Sequence, residues 1–311
     1  ERLKDLVNAV MIRNRRSDTG IEWTKRRVES VIIQFSEEEV ALYETISNWP
    51  LSDTASSGFS KITLQREACS SREAVFYTIQ NMMKKYENPN PSFLQSVKEI
   101  EEKINAVKAN SKAEKALEII QKANDKVIIF TEYRATQLYL QWFLQQHGIS
   151  SVPFRGGFKR GKKDWMRELF QNHAQVLIAT EAGGEGINLQ FCNTIINFDL
   201  PWNPMRLEQR IGRVHRLGQE KDVFIYNFAT EGTVEEHILR LLYEKIELFE
   251  KVVGELDDIL TKLDFGKFEE YLEDVIDSSK SEGEMKIKME NLSSMISLAQ
   301  QLKEREQHAA T

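Results

Sequence analysis

Five short apolar segments, separated by helical and loop patterns, lie between residues 126 and 228. In chain order they read KVIIF, SVPF, QVLIA, TIINF and DVFIYNF. Helical patterns fall between them at 136–147, through DWMRELFQ and at 204–217. Apolar strands that alternate with helices are typical of a parallel sheet that is buried on both faces. The sequence therefore predicts an α/β fold with helices on both faces of a parallel sheet.

The chain on either side of these segments reads mostly as helix. Residues 1–125 are predicted to be largely helical, and a long helix is predicted after the last strand. Capping boxes, in which Glu follows a Ser or Thr by three positions, place helix starts at Ser36, Ser70, Ser111 and Thr233.

Composition limits the classes of protein that the chain can belong to. It has 311 residues, of which 41% are hydrophobic and 29% charged, as expected of a soluble protein with a packed core. No run of about 18 apolar residues occurs, so no membrane contact is predicted. The first residue is not Met, and we expect the chain to begin within a longer protein. Cys69 and Cys192 are far apart and fit no metal-binding spacing, which favours free thiols in the cytoplasm.

The net charge of −6 is unevenly distributed. Residues 244–290 contain 15 acidic and 7 basic side chains, a net of −8, so the rest of the chain is at about +2. A mildly acidic total therefore does not exclude a nucleic-acid partner. The acidic stretch is either a solvated surface, as charge runs usually are, or a docking surface for a protein.

The stretch GGFKRGKK resembles a phosphate-binding loop, with Gly156, four further residues, Gly161 and Lys162. Such a loop needs Ser or Thr next, to coordinate Mg²⁺, and that position is Lys163. We therefore reject this interpretation and predict no metal ligand here. What remains is a glycine turn within a basic cluster, suited to a polyanion backbone or simply an exposed helix start. The cluster comprises Arg155, Lys159, Arg160, Lys162, Lys163 and Arg167.

Two arginines in EQRIGRVHRLGQ, Arg213 and Arg216, are three positions apart and would share one face of a helix. Such a pair can form a fork for phosphate oxygens and neutralise charge during phosphoryl transfer. Gly212 inside a helix costs about 1 kcal/mol relative to Ala, which suggests close approach by another group. The alternative is a solvated basic helix in which Glu208 pairs with the arginines.

A glycine-rich stretch, ATEAGGEGINLQ, begins where a predicted strand ends at Thr180. Gly183, Gly184 and Gly186 would let the backbone approach a ligand closely. Ligands of open parallel sheets bind outside the carboxyl ends of the strands, which favours a binding loop over a merely flexible one.

These stretches occur in the order of known helicase motifs. KVIIFTEYR, FRGG, IATEAGGEGINLQFCNTIINFDLPWNP and EQRIGRVHRLGQ resemble motifs IV, IVa, V and VI in the second RecA-like lobe of Swi/Snf-type ATPases. TVEEHILRLLYEKIELFEKVV resembles the brace helix of that family, and VNAVMIRNRRSDTGIEWTKRRVESVIIQFSEEEVALY resembles the connector after its first lobe. The sequences of these motifs most resemble those of the bacterial group that includes the RNA-polymerase-associated ATPase. The resemblance covers roughly residues 6–255.

The resemblance implies four regions. Residues 1–110 would form a helical connector and insertion after an absent first lobe. Residues 111–232 would form the RecA-like lobe two, 233–262 the brace helix, and 263–311 an acidic helical tail.

The resemblance also implies roles for individual residues. Arg213 and Arg216 match the family's catalytic arginine fingers. Nucleotide-binding positions match Gly186, Asn188 and Gln209. Positions near the DNA backbone match Thr131, Arg155, Gly156 and Thr180, and Trp202 matches a packing or coupling position.

The function implied is that of a DNA-stimulated ATPase that translocates on double-stranded DNA and remodels or displaces bound protein. ATP and Mg²⁺ would bind between this lobe and the first lobe, which would supply the Mg²⁺ ligands, so this chain alone is expected to be inactive. Expected partners are double-stranded DNA and the first lobe of the same protein, and RNA polymerase is a further candidate. Two alternatives stay open: lobe two of a true DNA or RNA helicase, and an interaction module whose acidic region docks RNA polymerase.

Overall fold

The computed structural model describes residues 24–50, 61–86, 88–180, 188–201, 204–216 and 218–240, with six single positions between 275 and 294. Predictions for Gly186, Trp202, the brace helix beyond residue 240 and most of the acidic tail therefore lie outside the described residues. Within the described part, no helix is long and apolar enough to cross a bilayer.

A six-stranded sheet organises the molecule, and every pair of neighbouring strands is parallel. The strand order across the sheet is β1-β6-β5-β2-β4-β3. Five strands, β2 to β6, coincide with the five apolar segments and confirm the predicted α/β fold. The strands are β1 (Arg26–Ile33), β2 (Val127–Thr131), β3 (Ser151–Phe154), β4 (Val176–Thr180), β5 (Thr194–Asn197) and β6 (Val223–Thr230).

The first strand corrects the prediction that residues 1–125 are mostly helical. β1 pairs with β6 over its full length, from Arg26 opposite Val223 to Ile33 opposite Thr230. Half of its residues are Val or Ile, which favour extended backbone. Its charged residues are tolerated because β1 is an edge strand whose outer side meets solvent. The helical expectation failed because the alternation of apolar and polar residues is weak here.

Helices cover both faces of the sheet, as predicted. They are α1 (Glu37–Ser47), α2 (Lys61–Ser70), α3 (Arg72–Lys85), α4 (Pro91–Ala106), α5 (Ser111–Ala123), α6 (Arg134–Gln146), α7 (Arg160–Asn172) and α8 (Pro204–Ile211). Apolar residues of α5 and α6 share one core with Val127 and Ile129 of β2. Apolar residues of α7 and α8 share the opposite core with Ile128 and Phe130. Alternate residues of one strand thus contribute to two cores, as expected of a parallel sheet that is covered by helices on both faces.

Helices α1 to α4 form a separate helical unit with its own core. That core includes Leu42, Leu64, Val75 and Phe93, one from each helix. The unit precedes the parallel αβ units of the sheet, in the region predicted to be a connector and insertion. The domain boundaries themselves stay a prediction.

The capping predictions are confirmed at one helix and displaced at two. At α1, the Ser36 hydroxyl accepts from the Glu39 amide at 3.3 Å while the Glu39 carboxylate accepts from the Ser36 amide at 2.9 Å. The cap of α3 is Ser71 rather than Ser70, because Ser70 still belongs to α2. The cap of α5 is Asn110 rather than Ser111, because its amide oxygen already accepts from the Ala113 amide.

The C-terminal helix begins close to the predicted start, with a modified cap. The Thr233 hydroxyl accepts from the Glu235 amide at 3.2 Å, as expected of a cap residue. The Glu236 carboxylate, however, accepts from the Gly232 amide at 2.8 Å rather than from that of Thr233.

The helical unit contains a buried carboxyl group that should make its stability pH-dependent. Glu67 is buried and accepts a 2.7 Å hydrogen bond from the Thr78 hydroxyl, and burial raises its pKa to about 8. The unfolded chain would lose this proton near its ordinary pKa of 4.5. At this group the folded protein binds more protons than the unfolded chain between these two values, so the contribution of Glu67 to stability should be full below pH 4.5 and be lost as pH rises to about 8.

The Glu67→Gln variant is therefore expected to be more stable than the wild-type protein at pH 8 and to lose this part of the slope. The slope due to one such group reaches at most about 1.4 kcal/mol per pH unit. Urea denaturation at several pH values measures it, with the exposed Glu102→Gln as a matched control. Parallel pH profiles for wild type and Glu67→Gln would show that the carboxyl group is ionised in the folded protein.

Candidate nucleotide and nucleic-acid sites

The residues predicted to lie near DNA meet at the carboxyl edge of the sheet. Thr131 ends β2 and is the register partner of Thr180, which ends β4. Phe154 ends β3 opposite Ala179, so Arg155 follows beside Thr180. Gly156 comes next, in a turn. Three neighbouring strands thus bring these four positions together at the edge where ligands of parallel sheets usually bind.

Thr131 is the exception among these residues, because its side chain is engaged inside the protein. It is fully buried, and its hydroxyl donates to the Asp199 carboxylate and accepts from the Tyr133 amide at 3.3 Å. In this arrangement Thr131 shapes the strand end and does not offer its hydroxyl to a DNA strand. Thr180 and Arg155 are only partly buried.

A basic segment at this edge, residues 155–163, comprises the turn after β3 and the first turn of α7, and is called the basic turn below. Its aromatic residue, Phe158, has two cations over its ring, with Arg155 at 5.4 Å and Lys162 at 4.4 Å from the centroid. Lys159 and Arg160 are exposed, and α7 begins there without a side-chain cap. Uncapped amide groups at a helix start and adjacent cations both favour anions such as phosphate. The surface therefore has the chemistry expected for a polyanion backbone.

The double variant Lys159→Ala, Arg160→Ala is expected to weaken duplex DNA binding by the full-length protein. Each lost phosphate contact should reduce the slope of log Kd against log salt concentration by about 0.9. Fluorescence anisotropy over a salt series measures both quantities. Lys122→Ala is the control, because Lys122 is exposed near the end of α5, shortly before β2 begins, and thus at the opposite edge. An unchanged salt slope in the double variant would exclude this turn from the DNA interface.

The arginine motif does not continue as the helix that the sequence predicted. Helix α8 ends at Ile211, and residues 212–216 form tight turns instead, so Arg213 and Arg216 do not share a helical face. The turn is held by main-chain hydrogen bonds from the Val214 and His215 amides to the Ile211 carbonyl, at 3.0 and 2.8 Å. Gly212 disfavours helix at this point, and Val214 and His215 are both buried.

The loop with the two arginines, described for residues 212–216 and 218–219 and called the arginine loop below, packs on the segment that follows the glycine-rich stretch. The Leu189 amide donates to the Arg213 carbonyl at 3.1 Å. The side-chain Nε2 of Gln219 donates to the main-chain carbonyl oxygens of Gln190, Cys192 and Val214, at 3.0 to 3.2 Å. The structure thus places the predicted nucleotide residue Asn188, which adjoins Leu189, next to the arginine loop. Arg213 is half-buried, and Asn188, Gln209 and Arg216 are exposed.

The predicted site residues therefore form two groups. One lies at the carboxyl edge of the sheet, and the other lies around the arginine loop on the face covered by α7 and α8. The side chains of the second group, two guanidinium and two amide groups, suit the oxygens of a nucleotide's phosphates. In the described part of the chain, no group of three or more His, Cys, Asp or Glu residues could hold a metal ion.

A buried carboxylate that was not predicted from the sequence, that of Asp199, accepts hydrogen bonds from residues at the carboxyl edge of the sheet. Asp199 follows β5, and its carboxylate accepts from the Ser70 hydroxyl at 2.9 Å, the Glu132 amide at 3.0 Å and the Thr131 hydroxyl. It thereby joins the helical unit to the ends of β2 and β5. Nothing local marks this residue, because its partners lie 67 to 129 positions away in the chain.

A buried lysine lies beside this carboxylate. The Lys112 ammonium group donates to a Glu235 carboxylate oxygen at 2.6 Å and to the Phe198 carbonyl at 2.9 Å, and lies 3.8 Å from Asp199. Glu235 also accepts from the amide and hydroxyl of Thr230, both at 3.1 Å. This cluster fixes the start of the C-terminal helix to the ends of β5 and β6.

A third missed residue, Arg210, anchors the end of α8. It is buried, and its guanidinium donates to the Asp199 carbonyl at 2.8 Å and to the Asn197 side chain at 3.3 Å. The same group lies 5.2 Å from the centroid of the Phe130 ring. Arg210 therefore ties the helix that leads into the arginine loop to the ends of β2 and β5.

Comparison with known proteins agrees with this description. Residues 111–218 match the helicase conserved C-terminal domain. An ATP-dependent helicase of Bacillus subtilis, YqhH, is 66% identical over 304 residues, which are 97% of this chain and 55% of YqhH. The RNA polymerase-associated protein RapA of Proteus mirabilis is 34% identical over 183 residues, 54% of this chain and 19% of RapA. The helicase swr1 of Aspergillus fumigatus is 34% identical over 157 residues, 49% of this chain and 9% of that helicase. The chain thus spans about half the length of YqhH and much less of the other two.

Two solved structures share the fold. The C-terminal part of the Fun30 ATPase domain aligns with a TM-score of 0.52 at 16% identity, covering 70% of this chain and 88% of that one. The Hef helicase domain of Pyrococcus furiosus aligns with a TM-score of 0.50 at 15% identity, covering 76% and 63%. Residues 111–218 thus match the helicase conserved C-terminal domain, and the two structures share the fold of this part of the chain, whose motif order resembles that of the Swi/Snf-type ATPases.

Proposed function

We propose that this chain is the C-terminal lobe of a DNA-stimulated ATPase that translocates on double-stranded DNA and remodels or displaces bound protein. The observation that carries the proposal is the presence of two cationic sites on one parallel sheet. A basic turn lies at the carboxyl edge, and an arginine loop packs beside Asn188 on one face. An enzyme that couples nucleotide hydrolysis to movement along a polyanion needs one site of each kind.

ATP would bind between this lobe and a first RecA-like lobe of the same protein. Arg213 and Arg216 would neutralise the negative charge that develops as the γ-phosphoryl group is transferred. Asn188, Gln209 and Gly186 would contact the nucleotide. Mg²⁺ would be coordinated by the first lobe, as the resemblance to the Swi/Snf-type ATPases implies. The isolated chain is therefore expected to lack ATPase activity.

The carboxyl edge would hold one strand of the duplex through Arg155, Gly156 and Thr180. Opening and closing of the cleft during the ATPase cycle would then move these contacts along the strand. Both cysteines of the chain are buried free thiols, which fits a reducing compartment such as the cytoplasm.

A triplex-displacement assay with the full-length protein tests translocation. The enzyme should use ATP to remove a third strand from duplex DNA, and it should not separate the strands of a forked duplex. Strand separation without triplex displacement would instead support the alternative of a true helicase. The B. subtilis relative YqhH is named as an ATP-dependent helicase.

RNA polymerase is a candidate partner, because relatives with 32 to 35% identity are named RNA polymerase-associated proteins. The acidic region 244–290 would be its docking surface. Co-purification of RNA polymerase with the full-length protein, and its loss on removal of residues 256–311, would support this role. Equal co-purification with and without those residues would assign docking to another surface.

A further inference from the structure

His215 lies between the two candidate arginine fingers in the sequence, and its ring is buried within the protein. The ring is almost completely buried, with 4% of the residue exposed. Its Nε2 donates to the Thr24 carbonyl at 2.7 Å, and its Nδ1 accepts from the Arg26 Nε at 2.9 Å. The ring therefore carries its proton on Nε2, and both nitrogens are used.

The two partners of His215 belong to the segment that enters the edge strand β1. This segment is itself held on β6: the Lys25 carbonyl accepts from the Val223 amide at 2.9 Å, and the Lys25 amide donates to Asp222 at 3.1 Å. Arg26 is the register partner of Val223. The ring of His215 thus links the arginine loop to a segment about 190 positions earlier in the chain.

The rest of the arginine loop has little freedom once this link is made. The Leu189 amide holds the Arg213 carbonyl, and the Arg216 amide donates to the Val214 carbonyl at 3.2 Å. The directions of Arg213 and Arg216 therefore depend on a main chain that is fixed by residue 189 on one side and by the His215 ring on the other. A shift of segment 24–26 would pull on the ring and reorient the chain between the two arginines.

We propose that His215 is a positioning residue for Arg213 and Arg216, and that its bonds to Thr24 and Arg26 couple the arginine loop to the chain that enters β1. The inference rests on the proposed function, in which these arginines act on the nucleotide. In addition, the conformation of the arginine loop would depend on the position of the chain segment that enters β1. The role assigned to His215 is structural rather than acid–base, because its ring is buried and both nitrogens face Thr24 and Arg26 within the protein.

Two substitutions of His215 separate its two bonds in the full-length protein. The amide of His215→Asn reaches the position of Nδ1 and keeps an acceptor for Arg26. The amide of His215→Gln reaches the position of Nε2 and keeps a donor for Thr24. Arg26→Met removes the Arg26 bond from the other side, and His147→Gln is the control, since His147 is exposed at the end of α6.

The expected result is a split between kinetic parameters. His215→Gln and Arg26→Met should each lower the DNA-stimulated kcat about tenfold, with KM for ATP and Kd for duplex DNA changed less than twofold. The double variant His215→Gln, Arg26→Met should be no slower than either single variant, because both substitutions remove the same hydrogen bond between Arg26 and His215. His215→Asn should recover part of the loss. Loss of folding by a His215 variant leaves Arg26→Met to decide the question.

An unchanged kcat in Arg26→Met, or effects that multiply in the double variant, would overturn the inference. A parallel loss of kcat, DNA affinity and thermal stability would also overturn it, because it would show a general structural role. The proposed function fails separately: wild-type turnover that is absent, or insensitive to Arg213→Ala, would contradict the function itself.

Discussion

Replacement of Arg213 by Ala in the full-length protein is expected to lower ATP turnover by at least about 10³-fold while leaving duplex DNA binding intact. Arginine fingers contribute about 10³- to 10⁵-fold to phosphoryl transfer, because they stabilise charge that is greatest in the transition state. Arg213 is half-buried, and its main chain is held by the Leu189 amide beside the candidate nucleotide residue Asn188. The DNA candidates lie apart from it, at the carboxyl edge of the sheet, and should not be disturbed.

Steady-state kinetics and anisotropy binding on the same preparations measure the two effects. Arg240→Ala is a suitable control, because Arg240 is exposed and pairs only locally with Glu236 among the contacts seen here. Normal turnover combined with lost DNA binding would move Arg213 from the nucleotide site to the DNA interface.

Replacement of Lys112 by Met should destabilise the protein by about 3–5 kcal/mol. Lys112 is buried with Glu235 and Asp199, and all three side chains are at most 7% exposed. Burial alone would lower the pKa of Lys112, but the two carboxylates raise it above its ordinary value. Burial raises the pKa of Glu235. Removal of the cation would leave two buried carboxyl groups without it, and an uncompensated buried charge is costly.

The second variant in this experiment is Lys112→Met with Glu235→Gln. It removes a charge of each sign, so it should recover a substantial part of the lost free energy of unfolding. Urea denaturation measures both, with Lys115→Met on the same helix as control, because its partly exposed ion pair with Glu118 should contribute less than about 1 kcal/mol. A loss below about 1 kcal/mol for Lys112→Met would show that water or a structural rearrangement compensates the carboxylates.

Sequence reasoning was most successful where local pattern determines structure. The strands β2, β4 and β5 are short, mostly apolar and almost fully buried, and that pattern follows directly from burial on both faces of the sheet. The edge strand β1 was not predicted, because most of its side chains are exposed and its charged residues obscure the apolar pattern of a strand. The end of α8 was misplaced because a buried loop and a helix can share the same apolar spacing, and Gly212 allows both.

The site residues show the same division. The resemblance placed Thr131, Arg155, Gly156 and Thr180 near the DNA backbone, and the structure brings them together at the carboxyl edge because the strand ends of a parallel sheet meet there. The buried groups Asp199, Lys112, Arg210 and His215 were not identified, because each is defined by partners far away in the chain. Thr131 illustrates the reverse case: its position at the strand end was predicted, but the carboxylate that engages its hydroxyl was not.

ATP turnover by the full-length protein should be measured with duplex DNA, single-stranded DNA and RNA, because the nucleic acid that stimulates it distinguishes a duplex translocase from a helicase. We expect strong stimulation by duplex DNA, weak stimulation by the other two, and loss of the stimulated rate in Arg213→Ala. Stimulation by single-stranded DNA or RNA alone would contradict the duplex translocase and favour a helicase. Turnover that no nucleic acid stimulates would contradict both and point to a protein activator.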